Sequence, residues 1–188
     1  MVEEKTDLFG GVEKAATPAH VSKSTGNNEW YTPEKYIYAA SEVMDGIYLD
    51  PASSEIANRK IKAMNYFTEK DDGLVKDWRG TVWMNPPFAQ PLVRLFCEKL
   101  IYHFEGGDIT QACVLINNGT ETRHGQLMLN ACNAVCFAAR RIRFLSDDGV
   151  TKNAPLQGQM IMYYGNNAGG FIEKFSNLGV VMLGVAND

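Results

Sequence analysis

From residue 33 onward, apolar runs of strand length alternate with stretches of helical period, and this alternation limits the possible folds more than any other feature. Thr32 and Pro33 predict a helix over 33–44, with the threonine as N-cap and the proline at the first helical position. A short buried strand follows at 46–50 and stops at Pro51. Ser53 or Ser54 caps a second helix that runs through Ile61, and 64–67 gives another strand. The segment 80–84 is a third strand, running straight into Asn85-Pro86-Pro87-Phe88. Pro91 then opens a helix in which Leu92, Phe96, Leu100 and Phe104 recur every four residues. Strands at 112–116 and 134–138 flank a helix at 120–131, and two more strands are expected at 159–164 and 180–185. Ile142 and Phe144 alternate with arginines, as on a half-exposed strand. The pattern predicts an α/β sheet with helices on both faces. Such sheets bind ligands beyond the carboxyl ends of their strands. Asp50 and Asn85 both stand at strand ends.

At 188 residues and 45% apolar content, the chain fits one globular domain with a sizeable core. Residues 1–27 show no sustained period and are expected to form a mobile tail, leaving 28–188 as the domain. The formal net charge is −4, whereas a compact module that holds nucleic acid by charge alone is basic. Any nucleic-acid surface must therefore be a local patch. Arg140, Arg141 and Arg143 form the one dense basic cluster, with Lys152 beyond it and Arg123 beside His124 as a further candidate. The arginines suit DNA phosphates, but pairing with the chain's own acids would explain them as well. The four cysteines and three histidines have no zinc-binding spacing, and the scattered thiols fit a reducing, cytoplasmic compartment. No apolar run approaches membrane-spanning length.

The sharpest chemical signal is Asn85-Pro86-Pro87-Phe88. The exocyclic amine of a base such as adenine is a poor nucleophile, because its lone pair is delocalised into the ring. Two acceptors placed on its two N–H bonds favour pyramidal geometry and free that lone pair. The side-chain oxygen of Asn85 and the carbonyl of Pro86 can be those acceptors, and the prolines stiffen the turn. Phe88 offers a flat face to a flipped base. A plain proline turn with Phe88 in the core is the structural alternative. Other planar amines, in RNA bases or protein glutamine, fall within the same chemistry, and a DNA-binding module without catalysis is a further possibility. Cytosine C5 chemistry needs a cysteine nucleophile, and no Pro-Cys pair occurs.

The motif does not stand alone. In order along the chain come Glu29-Trp30-Tyr31-Thr32-Pro33, Leu49-Asp50-Pro51-Ala52-Ser53, residues 67–74, Asp77-Trp78, residues 82–88, residues 118–123, residues 140–144 and Gly158-Gln159-Met160. In this ordered set the chain resembles the phage-type DNA N6-adenine methyltransferases over about residues 28 to 165. The resemblance implies a class I S-adenosylmethionine-dependent methyltransferase fold, a Rossmann-like sheet, acting on double-stranded DNA with S-adenosylmethionine as donor. Residues 49–53 take the place of the usual glycine-rich cofactor loop, although no glycine is present. Asp50, with Pro51, then meets the cofactor's ammonium. Trp30, Tyr31 and Thr32 resemble the segment that closes over the methionine end of the cofactor. Asp71 and Asp72 are the candidates for its ribose or adenine. Specificity is expected from loops at 103–111 and 145–158.

Overall fold

The computed structural model describes residues 31–146 and 156–184. The expected tail, Trp30, Lys152 and most of the loop at 145–158 lie outside the described residues. Five α-helices, seven strands and a short 3-10 turn (Gly73–Val75) are described: α1 (Glu34–Met44), β1 (Leu49–Asp50), α2 (Glu55–Ile61), β2 (Asn65–Tyr66), β3 (Gly80–Met84), α3 (Leu92–Glu105), β4 (Ile109–Asn117), α4 (Arg123–Ala131), β5 (Ala134–Ala138), β6 (Gln159–Tyr164), α5 (Ala168–Phe175) and β7 (Gly179–Leu183).

All seven strands join one sheet in the order β2-β1-β3-β4-β6-β5-β7. The pairs β1–β2, β1–β3 and β3–β4 are parallel. Strand β6 is antiparallel to both β4 and β5, and β7 is antiparallel to β5. The carboxyl ends of β1, β2, β3, β4 and β5 therefore share one edge of the sheet. Period-two alternation divides the side chains between two cores. Trp83, Cys113, Leu115, Ile161 and Tyr163 pack beneath α1 and α5. Val82, Met84, Ala112, Val114, Met160 and Met162 pack beneath α3 and α4 on the other face. Helices thus cover both faces, as expected. Burial on both sides also explains why β4 and β6 are almost uninterrupted apolar runs.

Four expectations need correction. Thr32 does not cap α1: Pro33 is the N-cap, with no side-chain cap bond, and the threonine hydroxyl is turned elsewhere. Ile142 and Phe144 are buried and the alternating Arg141 and Arg143 exposed, but among the described residues the segment pairs with no strand and makes only the bridge Tyr31–Leu145. The amide of Ile142 instead donates to Oε1 of buried Gln159, at 3.0 Å. Helix α5 was not expected, because paired glycines at 169 and 170 each cost about 1 kcal/mol relative to alanine in a helix. It forms because Asn167 caps it and also donates to the carbonyl of Val43 in α1, while Phe171 and Phe175 stack at 4.3 Å in the core. Finally, the loop proposed for specificity at 103–111 joins the end of α3 to the start of β4. It lies at the amino-terminal edge of the parallel strands, opposite Asp50 and Asn85.

Candidate active site

Strand β1 leads outward to β2, whereas β3 leads to β4 in the other direction, so the strand order reverses between β1 and β3. A crevice beyond the carboxyl ends of the strands is the expected ligand site at such a reversal. A cleft of about 480 Å³ opens there, well within the range of small-molecule sites. Its wall takes in Tyr31, Thr32, Asp50, Pro51, Asp72, Asn85, Pro86 and Phe88 from the residues singled out by sequence.

At one end, β1 terminates on Asp50, which is 2% exposed. Its Oδ1 accepts from the amide of Ala52 at 3.1 Å. Burial pushes the carboxyl pKa up to about 7, partly offset by that amide and by the nearby Ser53 hydroxyl. The Ser53 hydroxyl lies near that carboxyl but is buried and makes no hydrogen bond of good geometry among the described residues. The site is thus an under-compensated buried acid beside an unused hydroxyl, which suits a cationic, polar ligand group.

The strands hold the next wall in place. The Asp50 carbonyl accepts from the amide of Phe67, and the Ser53 amide donates to the Phe67 carbonyl, carrying residues 67–74 over the cleft. Asp71 is not part of the cleft wall, and its carboxylate is taken by the amide and hydroxyl of Thr68 at 2.9 and 2.7 Å. These bonds hold its pKa below the ordinary value. Of these two acids, Asp72 is the one that lines the cleft. Gly73 beside it leaves no room for a side chain: a Cβ there would meet the carbonyl oxygen of Pro51 at 2.1 Å. The indole of Trp78 donates to the Gly73 carbonyl at 2.8 Å and stacks on Phe96, which pins this loop to the core.

At the other end, β3 delivers Asn85 into the cleft. Its Nδ2 donates to the Thr32 hydroxyl at 3.3 Å, while its Oδ1 is buried with no partner among the described residues. Pro86 is buried, and among the described residues nothing donates to its carbonyl. The two acceptors expected from the sequence are therefore both unused. Phe88 lines the cleft and also packs edge-on against Phe144, with ring centroids 6.2 Å apart, so it is at once core and wall.

The arginines do not line the cleft. Arg123 is exposed at the start of α4, just beyond β4, and Arg140, Arg141 and Arg143 are exposed just beyond β5. All four thus lie along the edge of the sheet that carries the cleft. Among the described residues none of them forms an ion pair. His124 stays beside the capping Thr122, with its Nε2 at 3.4 Å from that hydroxyl. Sequence reasoning put Ser53 in the cofactor loop without a role of its own, and it did not single out Lys60, Thr68, Glu69 and Leu92 on the cleft wall. The strand-end rule applied to β2 would have found Thr68. The others needed the tertiary arrangement.

A family model described as DNA N-6-adenine-methyltransferase (Dam) matches residues 19–174. No curated protein and no solved structure matches the chain. The family match takes in both ends of the cleft and the arginine-bearing segment, and on its extent the chain belongs to the DNA N-6-adenine-methyltransferase (Dam) family.

Proposed function

We propose that this chain transfers a methyl group from S-adenosylmethionine to N6 of adenine in double-stranded DNA, on a class I methyltransferase sheet. The observation that carries this reading is the buried, unpartnered Oδ1 of Asn85 in the cleft wall. An acceptor left without a donor costs about 1–3 kcal/mol, so its persistence fits a donor arriving with the substrate. The amine of a flipped adenine is such a donor. The opposite end of the cleft fits the donor molecule: Asp50 and Ser53 would hold its amino-acid end and Asp72 its ribose. When bound, S-adenosylmethionine supplies an electrophilic methyl group on a sulfonium centre.

The chain's own residues would then work as follows. Asn85 Oδ1 and the Pro86 carbonyl accept the two N–H bonds of the target amine and free its lone pair. Phe88 stacks on the extruded base and replaces the contacts it lost in the duplex. The surplus proton leaves the amine after it gains the methyl group and becomes acidic, so no side chain with a shifted pKa is needed beside Asn85. The four exposed arginines neutralise phosphates around the cleft.

The test is mass spectrometry of nucleosides from duplex DNA incubated with the protein and isotopically labelled donor. Label in N6-methyladenine supports the reading. Label only in cytosine, RNA or protein glutamine, or none at all, sinks it. The arginines carry a separate expected result. Replacing Arg141 with alanine should weaken binding similarly across DNA sequences and reduce the slope of log affinity against log salt by about one unit. An unchanged slope in fluorescence anisotropy titrations would remove Arg141 from the DNA surface.

A further inference from the structure

Thr32 is 4% exposed, and its hydroxyl does no local work for the helix that follows it. It accepts instead from Nδ2 of Asn85, 53 positions away in sequence. The backbone around it is fixed: Tyr31 exchanges two hydrogen bonds with Leu145, at 3.1 and 2.9 Å, and α1 begins directly after Pro33. On the other side of the pair, Asn85 Oδ1 has no partner. A side-chain amide has a donor end and an acceptor end, and a half-turn about its last bond exchanges them. Turned the wrong way, Asn85 would present its NH₂ to the NH₂ of the target base, donor against donor.

We propose that Thr32 is a positioning residue that anchors the Asn85 amide by accepting from Nδ2, which leaves Oδ1 for the target amine. This rests on the adenine-methylation reading above and assigns Thr32 a role through Asn85 rather than through the cofactor. The contact also ties the catalytic turn to the arginine-bearing segment. Residues 140–145 hold Tyr31 through Leu145 and hold Phe88 through Phe144, so both functional residues of the turn are braced from the same segment. That segment is in turn secured by Gln159, whose Oε1 accepts from the Ile142 amide while its Nε2 donates to Asn117 Oδ1 and to the Gln157 carbonyl.

The experiment compares wild-type protein with Thr32→Val and Thr32→Ser, measuring single-turnover transfer of labelled methyl to adenine at saturating DNA and donor, with donor affinity by calorimetry. Valine keeps the shape but removes the acceptor, whereas serine keeps the hydroxyl. Thr32→Val should lose about tenfold to a hundredfold in rate with donor affinity within about twofold of wild type. Thr32→Ser should recover most of the rate. A wild-type rate in Thr32→Val overturns the proposal. So does an equal loss in both variants, which would indicate packing, or a fall in donor affinity large enough to explain the rate, which would assign Thr32 to the cofactor wall. Wild-type protein that labels no adenine would instead overturn the reaction itself, and this role with it.

Discussion

Replacing Asn85 with alanine is expected to lower methyl transfer to adenine by about a hundredfold or more, the scale on which single preorganised polar groups act in active sites. Donor affinity should change little, because Asn85 sits at the β3 end of the cleft and Asp50 and Ser53 at the β1 end. The fold should also tolerate the change. Among the described residues the Asn85 side chain makes only the hydrogen bond with Thr32, and its Oδ1 has no partner to lose. Removing an unsatisfied buried acceptor relieves a desolvation cost, so thermal stability should hold or rise. Rate and stability thus move in opposite directions, as expected where strain is kept for function. The measurement pairs single-turnover transfer with a melting curve. Full activity in Asn85→Ala would sink the assignment, and a large fall in melting temperature would make Asn85 a structural residue.

Asp50→Asn should stabilise the ligand-free protein at alkaline pH and weaken donor binding. The ordinary carboxyl value is 3.8, and burial pushes that of Asp50 up to about 7. Between those values the folded chain keeps a proton that the unfolded chain has released. Stability therefore falls as pH rises through that window, with no penalty below pH 3.8 and the full penalty above about 7. Fully developed, the difference corresponds to about 4 kcal/mol, at 1.36 kcal/mol per pKa unit. Asparagine carries no such charge and can still accept from the Ala52 amide. The two proteins should have similar melting temperatures near pH 4, and the variant should melt about 10 °C higher at pH 8. A cationic ligand group placed against Asp50 removes the same penalty, so donor binding should weaken by about 1.5–3 kcal/mol in the variant. Parallel stability curves for the two proteins across this pH range would show that the carboxyl is not under-compensated.

Much of the site could be read from local signals. The turn at Asn85 declared itself because two prolines and an aromatic end an apolar run, and those are short-range constraints on backbone geometry. Asp50 was found in the same way, from a strand that stops at Pro51. Strands β3, β5 and β6 fall on their expected residues for the same reason. Helix α5 was missed because its local propensity opposes it, and only the Phe171–Phe175 contact with the core and the bond from Asn167 to α1 decide in its favour. The choice between Asp71 and Asp72 was also closed to sequence. The two are neighbours of one chemical type, and only folding engages the Asp71 carboxylate with Thr68 and places Asp72 on the cleft wall.

The sequence alone determined the alternation of elements, the burial of the central strands and the residue types at the two strand ends, all of which depend on neighbours a few positions away. Only the tertiary structure decided that those ends lie side by side on one cleft, because the meeting of β1 and β3 depends on strand order and not on local pattern. The same holds for Thr32. Its place before a helix suggested a cap, yet its hydroxyl serves an amide 53 residues downstream. A hydroxyl takes whichever buried donor folding brings within reach, and that distance is set by packing across the whole sheet.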